Sequence, residues 1–222
     1  RVLEQKSEWA QALALYHGWL DRFATNELRP RVELQRALAM FRAGNETNAL
    51  NLFTNVVAQF ATNEVAAQAQ WWVADYHYGR GEFANAEKNY RLVFLNWPDS
   101  ELAYQARMMA GRAAYGWQNY AVAIECFTNL TSRLDCPPDL WAQAVFAYGD
   151  TLMAKPSAET NRFANYEEAI RVFGKIHERN PTNEIAALAW GEMAKCYRQI
   201  GDASNAVMTF VKVIESPAAK AA

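Results

Sequence analysis

The sequence predicts an all-α protein, an array of antiparallel helix pairs, and two observations carry this prediction. An alanine followed four residues later by an aromatic side chain recurs six times within the 222 residues, mostly at intervals of 37. Short turn motifs recur in the same register, and no alternating strand pattern of useful length lies between them. Self-similarity at one fixed period is typical of stacked repeats, in which each unit buries its apolar face against its neighbours.

The recurring alanines define the second helix of each pair. They are Ala12, Ala49, Ala86, Ala123, Ala169 and Ala206, at spacings of 37, 37, 37, 46 and 37 residues. The aromatic residues four positions later are Tyr16, Phe53, Tyr90, Phe127, Phe173 and Phe210. The residues seven positions later are Trp19, Val56, Val93, Leu130, Ile176 and Val213. Positions i, i+4 and i+7 share one face of a helix, so these side chains are predicted to form its buried stripe.

Two kinds of turn bound the helices. The hairpin turn five residues before the alanine reads Gly44-Asn45, Gly81-Glu82, Gln118-Asn119, Ala164-Asn165 and Gly201-Asp202. Glycine suits this place because the residue after a helix often needs a positive φ. The turn thirteen residues after the alanine reads Thr25-Asn26-Glu27, Thr62-Asn63-Glu64, Asp99-Ser100-Glu101 and Thr182-Asn183-Glu184, with Asn or Ser as the predicted N-cap. Pro98, Pro181 and Pro217 are predicted to stop the preceding helices.

The segments between these turns are the predicted first helices, for example residues 66–78, 102–115, 140–153 and 185–197. About eleven helices result, joined by turns of a few residues. The array divides into a partial repeat at 1–25, repeats at 26–62, 63–99, 100–138, 139–182 and 183–217, and a tail at 218–222. Because a lone hairpin cannot bury both of its apolar faces, we expect a single array.

The fourth interval is nine residues longer than the others, and the extra residues are assigned to 155–163. Pro156 and the polar composition predict an enlarged hairpin loop there. Two interpretations stay open. Either the insertion is neutral variation in a surface loop, where doubling the length costs only about 0.6 kcal/mol, or the loop leans over the inner face of the array and touches a partner.

Composition argues against several classes of protein. The formal net charge of −2 lacks the basic excess needed to bind a phosphate backbone, so no nucleic-acid partner is expected. Cys126, Cys136 and Cys196 lack C-x-x-C spacing, which disfavours a disulfide framework or a cysteine zinc site. This segment has no apolar run long enough to span a membrane, so we expect no spanning helix in it, and no signal-peptide pattern is recognisable within it. Because Arg1 is followed directly by a helical pattern, we expect a fragment of a longer chain.

Motifs for catalysis are not found in the sequence. His17, His77 and His177 stand at unrelated repeat positions, so no metal cluster is expected. No Gly-rich phosphate loop, G-x-S-x-G elbow or H-E-x-x-H motif occurs. The paired carboxylates Glu167 and Glu168 fall in a first helical turn, where they complement the helix dipole. We therefore expect no enzyme and no cofactor.

The last repeat has the fullest family signature. Its residues are Trp190, Ala194, Tyr197, Gly201, Ala206, Phe210 and Pro217. This pattern resembles the tetratricopeptide repeat (TPR) family, whose first helix carries a bulky, a small and an aromatic residue and whose second helix carries alanine and an aromatic before a closing proline. The resemblance covers residues 7–217 and implies a right-handed α-solenoid. Gln70 departs from it, since it stands where Trp190 does.

The unit of 37 residues is longer than the 34 residues usual for that family. The turn text at 90–103 is similar to the longer repeats of bacterial cell-envelope members, among them the Tol-Pal periplasmic coordinator and the outer-membrane assembly lipoprotein. This similarity favours the cell envelope as the compartment, and the cytoplasm stays open as the alternative.

The resemblance also implies where a partner binds, because the first helices of the family line the concave face. Counted back from the alanines, the residues on this face are Leu34, Leu38, Phe41, Trp71, Asp75, Tyr78, Met108, Arg112, Tyr115, Gly191, Lys195 and Arg198. With nine residues allowed for the insertion, the fourth set is Val145, Gly149 and Leu152. Spacings of four and three keep each set on one helix face.

The lining is aromatic and apolar in its first half and basic toward its end, which predicts a protein-interaction scaffold. Such a groove suits an amphipathic helix or an extended peptide of another protein. Arg112, Lys195 and Arg198 predict acidic character at one end of that partner. The Lys and Asn residues with which chaperone-binding members hold a C-terminal carboxylate are missing at the expected positions. Three alternatives stay open: the lining fills the array itself, open repeat ends self-associate, or the segment belongs to a larger enzyme.

Overall fold

The computed structural model describes residue 3 and residues 6–157, 159–179 and 184–216. Eleven α-helices of 13 to 17 residues and one 3-10 turn, Glu159–Asn161, lie in these ranges, and no β-strand does. The helices are α1 Trp9–Arg22, α2 Arg29–Arg42, α3 Glu46–Gln59, α4 Glu64–Gly79, α5 Phe83–Asn96, α6 Ala103–Gly116, α7 Tyr120–Ser132, α8 Pro138–Ala154, α9 Ala164–Arg179, α10 Glu184–Ile200 and α11 Ala203–Glu215. The predicted all-α array of helix pairs is confirmed.

The chain divides into two compact units, Arg1–Ala110 (unit 1) and Gly111–Ala222 (unit 2), and the boundary falls inside α6. In unit 1, each of the helices α1 to α4 packs against the next helix in the chain. In unit 2, each of the helices α7 to α10 does the same. The odd-numbered helices carry the recurring alanines and are the second helices of their pairs. The even-numbered helices are the first helices.

The second helices bury their predicted stripe. All six recurring alanines are buried, and the aromatic residues of the central repeats, Phe53, Tyr90, Phe127 and Phe173, are at most 1% exposed. Two of these rings lie over a glycine of the first helix in their pair. A Cβ on Gly111 would stand 2.5 Å from the ring of Phe127, and a Cβ on Gly149 would stand 2.4 Å from the ring of Phe173. The close approach of these helices therefore requires glycine.

Left-handed backbone closes four of the predicted hairpin turns. Gly44, Gly81 and Gly201 have φ values of 81°, 73° and 92°. Gln118 holds the equivalent place with a φ of 67°, a region that disfavours residues with a side chain. The prediction is wrong for the remaining turn, because Ala164 already begins α9 and the longer loop before it changes the chain path.

The turns before the first helices cap them less uniformly than the sequence predicts. Asn63 is the N-cap of α4, and its side chain accepts a hydrogen bond from the backbone N–H of Val65 at 3.0 Å. Asn26 accepts a similar bond from the N–H of Leu28 at 2.9 Å, but α2 begins only at Arg29. Its side chain therefore closes a turn and does not cap the helix.

The inserted residues divide between two segments of the fourth repeat, and this division differs from the sequence prediction. The contacting residues Gly111 and Phe127 are 16 positions apart, whereas Gly149 and Phe173 are 24 apart, so eight of the nine extra residues lie between Gly149 and Phe173. The ninth lies between Ala123 and Gly149, because Gly149 follows Ala123 by 26 positions, one more than the equivalent spacing in the preceding repeat.

This correction shifts the predicted groove set of α8 by one residue. The equivalent positions hold Phe146, Asp150 and Met153, all half-buried. The predicted residues Val145, Gly149 and Leu152 are buried instead. A shift of one residue rotates a helical position by about 100°, so the earlier set points into the core.

Several sequence expectations lie outside the described residues. These are the stops at Pro181 and Pro217, the N-cap Asn183 and the tail at 218–222. In the hairpin loop at 155–163, residue 158 is outside as well, and Asn165 ties the start of the loop to α9 by donating from Nδ2 to the carbonyl oxygen of Lys155 at 2.7 Å. Across the described ranges, no helix combines the length and the apolarity needed to cross a lipid bilayer.

Candidate binding face of the first helices

The predicted groove residues divide into a largely buried set in unit 1 and an exposed set in unit 2. In unit 1, Leu34, Leu38 and Met108 are buried, and Phe41, Trp71, Asp75 and Tyr78 are half-buried. In unit 2, Arg112, Tyr115, Lys195 and Arg198 are exposed and Gly191 is half-buried. The exposed part of the predicted lining is therefore its charged end.

The aromatic side chains of the predicted lining in unit 1 pack against neighbouring rings of the same unit. The indole Nε1–H of Trp71 donates to Asp75 Oδ2 at 2.7 Å, and the hydroxyl of Tyr90 donates to Asp75 Oδ1. The ring centroids of Trp71 and Tyr90 are 5.2 Å apart, and Tyr78 contacts Tyr90 at 6.2 Å and Phe83 at 5.3 Å. The lining of α4 is thus filled in part by side chains of its own hairpin.

Burial governs the protonation of this network. It raises the pKa of Asp75, while the hydrogen bonds from Tyr90 and Trp71 act in the opposite direction. Burial also raises the pKa of Tyr90, and its bond to the Asp75 carboxylate adds to the effect. Asp75 is therefore a structural acceptor within unit 1.

Sequence reasoning missed Trp72, which anchors the unit 1 core beside the predicted lining. Its ring stacks on Phe53 of α3 with centroids 5.8 Å apart and contacts Phe41 of α2 at 5.3 Å. Trp71 and Trp72 are adjacent in the sequence, and the sequence pattern alone did not show that Trp71 faces α5 while Trp72 packs toward α2 and α3. Phe41, placed in the groove by the sequence, is thereby partly a core residue.

Side chains from three successive first helices meet on one surface of unit 2. The guanidinium of Arg112 on α6 donates to Gln143 Oε1 on α8 at 3.3 Å. On α10, Lys195 Nζ donates to Glu192 Oε1 at 2.6 Å. The charges of Glu192 and Lys195 act on the pKa of Asp150 on α8. The charge of Asp150 in turn adds to the effect of burial in raising the pKa of Tyr115 on α6. We call this surface the unit 2 face; it comprises Arg112, Tyr115, Gln143, Asp150, Glu192 and Lys195, together with the exposed Arg198 three residues after Lys195.

Asp150 is the functional candidate that the sequence missed, because the alignment placed Gly149 at its position. Burial and the nearby charge of Glu192 raise its pKa to about 6, while Lys195 opposes the shift. Within the described ranges its carboxylate has no hydrogen-bond or ion-pair partner. The charge of Asp150 in turn contributes to the raised pKa of Tyr115 and of Cys196. The signal available in the sequence was the aromatic residue four positions earlier, as at Asp75.

The histidines lie apart and have separate environments. His17 lies 3.5 Å from Asp21 on exposed surface, and His77 Nδ1 contacts Glu82 Oε2 at 2.7 Å. The hydrogen bond from His77 is the main cause that lowers the pKa of Glu82. Among the residues that the structure describes, no group of three or more His, Cys, Asp or Glu side chains is arranged to hold a metal. All three cysteines are free thiols and buried.

Helix α11 exposes apolar side chains, including Phe210, whose counterparts in the central repeats are buried. Phe210 is 40% exposed and Ile214 is 72% exposed, and Val207 and Val211 are exposed as well. These four residues follow the i, i+3, i+4, i+7 spacing of a single helix face. The outer face of α11 is therefore an apolar surface.

Solved structures share the fold of this chain. No protein-family model matches the sequence, and no curated protein matches it. The superposition on YrrB, described as a TPR protein with an unusual peptide-binding site, covers 89% of this chain and 91% of the other, with a TM-score of 0.63 and 14% identity. The superposition on MamA from Desulfovibrio magneticus covers 86% of this chain and 96% of the other, with a TM-score of 0.64 and 14% identity. The superposition on the C-terminal part of a TPR repeat-containing protein from Cytophaga hutchinsonii covers 96% of this chain and 76% of the other, with a TM-score of 0.67 and 14% identity. At this identity the likeness concerns the fold.

Proposed function

We propose that this chain, which has the fold of tetratricopeptide repeat proteins, is a non-catalytic scaffold that binds a peptide segment of another protein on the unit 2 face. The observation that carries the proposal is that α6, α8 and α10 together present an aromatic ring and charges of both signs on one accessible surface. Tyr115, 42% exposed, supplies an aromatic anchor, a side-chain type enriched where proteins bind one another. The description of YrrB as having a peptide-binding site supports the same use of this fold.

The charge pattern refines the expected partner. Sequence reasoning predicted an acidic partner segment from Arg112, Lys195 and Arg198, but Lys195 is already paired with Glu192. Arg198, exposed and one helical turn beyond Lys195, is the cation best placed to meet an acidic residue. We therefore propose that acidic character is confined to the part of the partner nearest Arg198.

The unit 1 residues have a smaller part in the proposal. Trp71 and Tyr78 are half-buried and packed on Tyr90, so they offer only their accessible edges to a partner. Leu34 and Leu38 of α2 and Met108 of α6 are buried, so they are not accessible to a partner. We also propose the cell envelope as the compartment, on the resemblance of the turn at 90–103, and fractionation of the native host with an antibody to this chain tests it.

Peptide selection tests the scaffold proposal. Short random peptides displayed on phage are selected on the purified protein, and the selected peptides are titrated by fluorescence anisotropy. The variant carrying Tyr115→Ala, Arg112→Ala and Arg198→Ala is expected to bind at least about tenfold more weakly, since each truncation at an anchor removes on the order of 1 kcal/mol.

The matched control removes charges from the second helices. Lys88→Ala on α5 and Lys175→Ala on α9 alter exposed lysines away from the unit 2 face and should leave the affinity unchanged. Far-ultraviolet circular dichroism verifies that both variants keep their helices. Failure to select any peptide, or equal weakening in the two variants, contradicts the proposal.

A second candidate function is self-association of two copies through α11. In earlier repeats the next first helix covers the equivalent surface; for example, the Trp72 ring of α4 stacks on Phe53 of α3 at 5.8 Å. Phe210 holds the position of Phe53 but is 40% exposed, and the apolar stripe around it continues that recurring interface. A second copy supplies an α-helical surface of the same type.

Sedimentation velocity over a range of concentrations tests this second candidate. The wild-type chain is expected to form dimers as concentration rises, whereas Ile214→Glu should remain monomeric because it places a charge in the apolar stripe. Leu134→Glu, which changes a 94% exposed residue between α7 and α8, is the control and should behave as wild type. A wild-type chain that is monomeric at every concentration contradicts self-association.

A further inference from the structure

The first helices α4 and α8 carry an aspartate at the same repeat position, and among the described residues only the carboxylate on α4 accepts hydrogen bonds. Asp75 directly follows Ala74 and Asp150 directly follows Gly149, where Ala74 and Gly149 are the small residues facing the second helix. Asp75 receives one hydrogen bond from Trp71 and another from Tyr90. Asp150 is likewise half-buried.

The residues that satisfy Asp75 have counterparts around Asp150 that cannot donate. Four positions before Asp150 stands Phe146, where α4 has Trp71, and across the pair stands Phe173, where α5 has Tyr90. The geometry of the aromatic pair is kept, since the centroids of Phe146 and Phe173 are 5.5 Å apart and those of Trp71 and Tyr90 are 5.2 Å apart. Phenyl rings lack the N–H and O–H groups that the indole and the phenol supply.

Lys195, the cation whose charge acts on Asp150, forms an ion pair with another residue. Lys195 Nζ binds Glu192 at 2.6 Å, and the Glu192 carboxylate, with 21% of its side chain exposed, is a like charge that acts against ionisation of Asp150. Within the described ranges Asp150 thus combines partial burial, a repulsive neighbour and no donor. A carboxylate in this situation gains more from an incoming cationic donor than an exposed carboxylate does, because less water competes for it.

We propose that Asp150 binds a lysine or arginine side chain of the peptide held on the unit 2 face, an inference that rests on the proposed function. The ammonium or guanidinium group donates to the Asp150 carboxylate, in the role that Trp71 and Tyr90 play at Asp75. Phe146 lies one helical turn before Asp150 on the same face, so the apolar stem of the incoming side chain lies along its ring. The partner is therefore basic opposite α8 and acidic only toward Arg198.

A double-mutant cycle tests this assignment with defined peptides. Peptides selected on the wild-type protein are synthesised with each arginine replaced by citrulline and each lysine replaced by norleucine, which keep most of the shape but remove the charge. Their affinities are measured for the wild-type protein and for Asp150→Asn. At one basic position, the neutral peptide is expected to bind the wild-type protein about tenfold more weakly and to bind Asp150→Asn as well as the charged peptide does, which corresponds to roughly 1.4 kcal/mol of coupling.

Glu192→Gln provides the matched control, because it removes a neighbouring carboxylate of the same charge. If Asp150 acts by direct contact, Glu192→Gln weakens the charged peptide much less than Asp150→Asn does. Equal effects of the two substitutions indicate a diffuse field and overturn the assignment. A second readout is the nuclear magnetic resonance shift of the Asp150 carboxyl carbon, which should titrate at lower pH when the basic peptide is bound.

The outcomes separate this inference from the proposed function. Peptides that lose affinity with Tyr115→Ala and Arg198→Ala but ignore Asp150→Asn leave the scaffold in place and overturn the role of Asp150. Selected peptides that contain no lysine or arginine overturn it as well. If no peptide is selected at all, the proposed function fails and the inference fails with it.

Discussion

Gly149 of α8 lies directly beneath the ring of Phe173 of α9, where a Cβ would stand 2.4 Å from two of the ring carbons. This contact sets the distance between the two helices of the fourth pair. It also sets the rotation of α8, because the residue after Gly149 must then turn away from α9. The position of Asp150 on the unit 2 face follows from this glycine.

Gly149→Ala should destabilise the protein. Alanine favours a helix over glycine by about 1 kcal/mol, but the added methyl group meets the ring, and overpacking costs about 1–3 kcal/mol. We expect a net loss of roughly 1–2 kcal/mol from these two opposing effects in urea unfolding followed by circular dichroism. Gly174→Ala on α9, where nothing lies within 4 Å of the added Cβ, is the control and should raise stability. A Gly149→Ala protein as stable as the Gly174→Ala protein contradicts the packing described here.

Truncation of the repeated aromatic residue should cost more on α7 than on α11. Phe127 is fully buried over Gly111, so Phe127→Ala is expected to lose about 3–5 kcal/mol. Phe210 holds the same repeat position but is 40% exposed, and Phe210→Ala should lose less than half as much. Chemical denaturation of the two variants checks this. Similar losses would show that Phe210 is covered in solution, as self-association through α11 requires.

Removal of the Tyr90 hydroxyl should weaken the unit 1 network. Tyr90→Phe keeps the ring but leaves the half-buried Asp75 carboxylate with Trp71 as its remaining donor, so a loss of about 1–3 kcal/mol is expected at neutral pH. The control is Tyr166→Phe, since Tyr166 makes no side-chain hydrogen bond among the described residues. Thermal unfolding monitored by tyrosine and tryptophan fluorescence measures both. Equal stability of Tyr90→Phe and wild type would mean that the bond to Asp75 contributes nothing net.

Because the pKa of Asp150 is raised, replacing it with a neutral residue should increase stability by an amount that depends on pH. The folded-state value of about 6 exceeds the unfolded value of 3.8, so the stability that Asp150 contributes is fully present below pH 3.8 and is lost as pH rises through about 6. Asp150→Asn cannot ionise and should unfold at higher urea than wild type at pH 8, by a margin that shrinks as pH falls toward 4. A margin that does not change with pH contradicts the burial of Asp150.

His177 should show the opposite pH dependence. Both ring nitrogens are buried and have no hydrogen-bond partner in the described part of the chain, and the ring stacks on Trp190 with centroids 4.1 Å apart. Burial, together with the charge of Lys212, lowers the pKa of His177 from 6.5 to about 4. A lowered histidine pKa reduces stability as pH falls from 6.5 to 4, because the unfolded chain takes up the proton first. His177→Phe keeps a ring stacked on Trp190, and its stability relative to wild type should increase as pH falls from 6.5 to 4. If the gains of Asp150→Asn and His177→Phe change in the same direction with pH, one of the two assignments is wrong.

The repeat itself was predictable because it depends on local sequence. The burial of the six alanines, the left-handed turns at Gly44, Gly81 and Gly201 and the approximate helix bounds follow from side-chain size, helical spacing and glycine geometry. The candidate site was predicted less well. Arg112 and Lys195 are exposed as expected, whereas Leu38 at the same repeat position is buried. Equivalent places in a repeat do not have equal exposure, because the neighbouring side chains differ in size.

The sequence by itself determined that this chain is an array of helix pairs, since a period of 37 residues with alanine and an aromatic on one helical face has few other solutions. Only the tertiary structure decided which side chains of the first helices are free to bind. The contact of Gly149 with Phe173 shows that the nine inserted residues divide between two segments of the fourth repeat, and this division places Asp150 on the unit 2 face. The physical reason is that periodicity fixes a face to within one residue, whereas contact between two helices fixes the rotation of each.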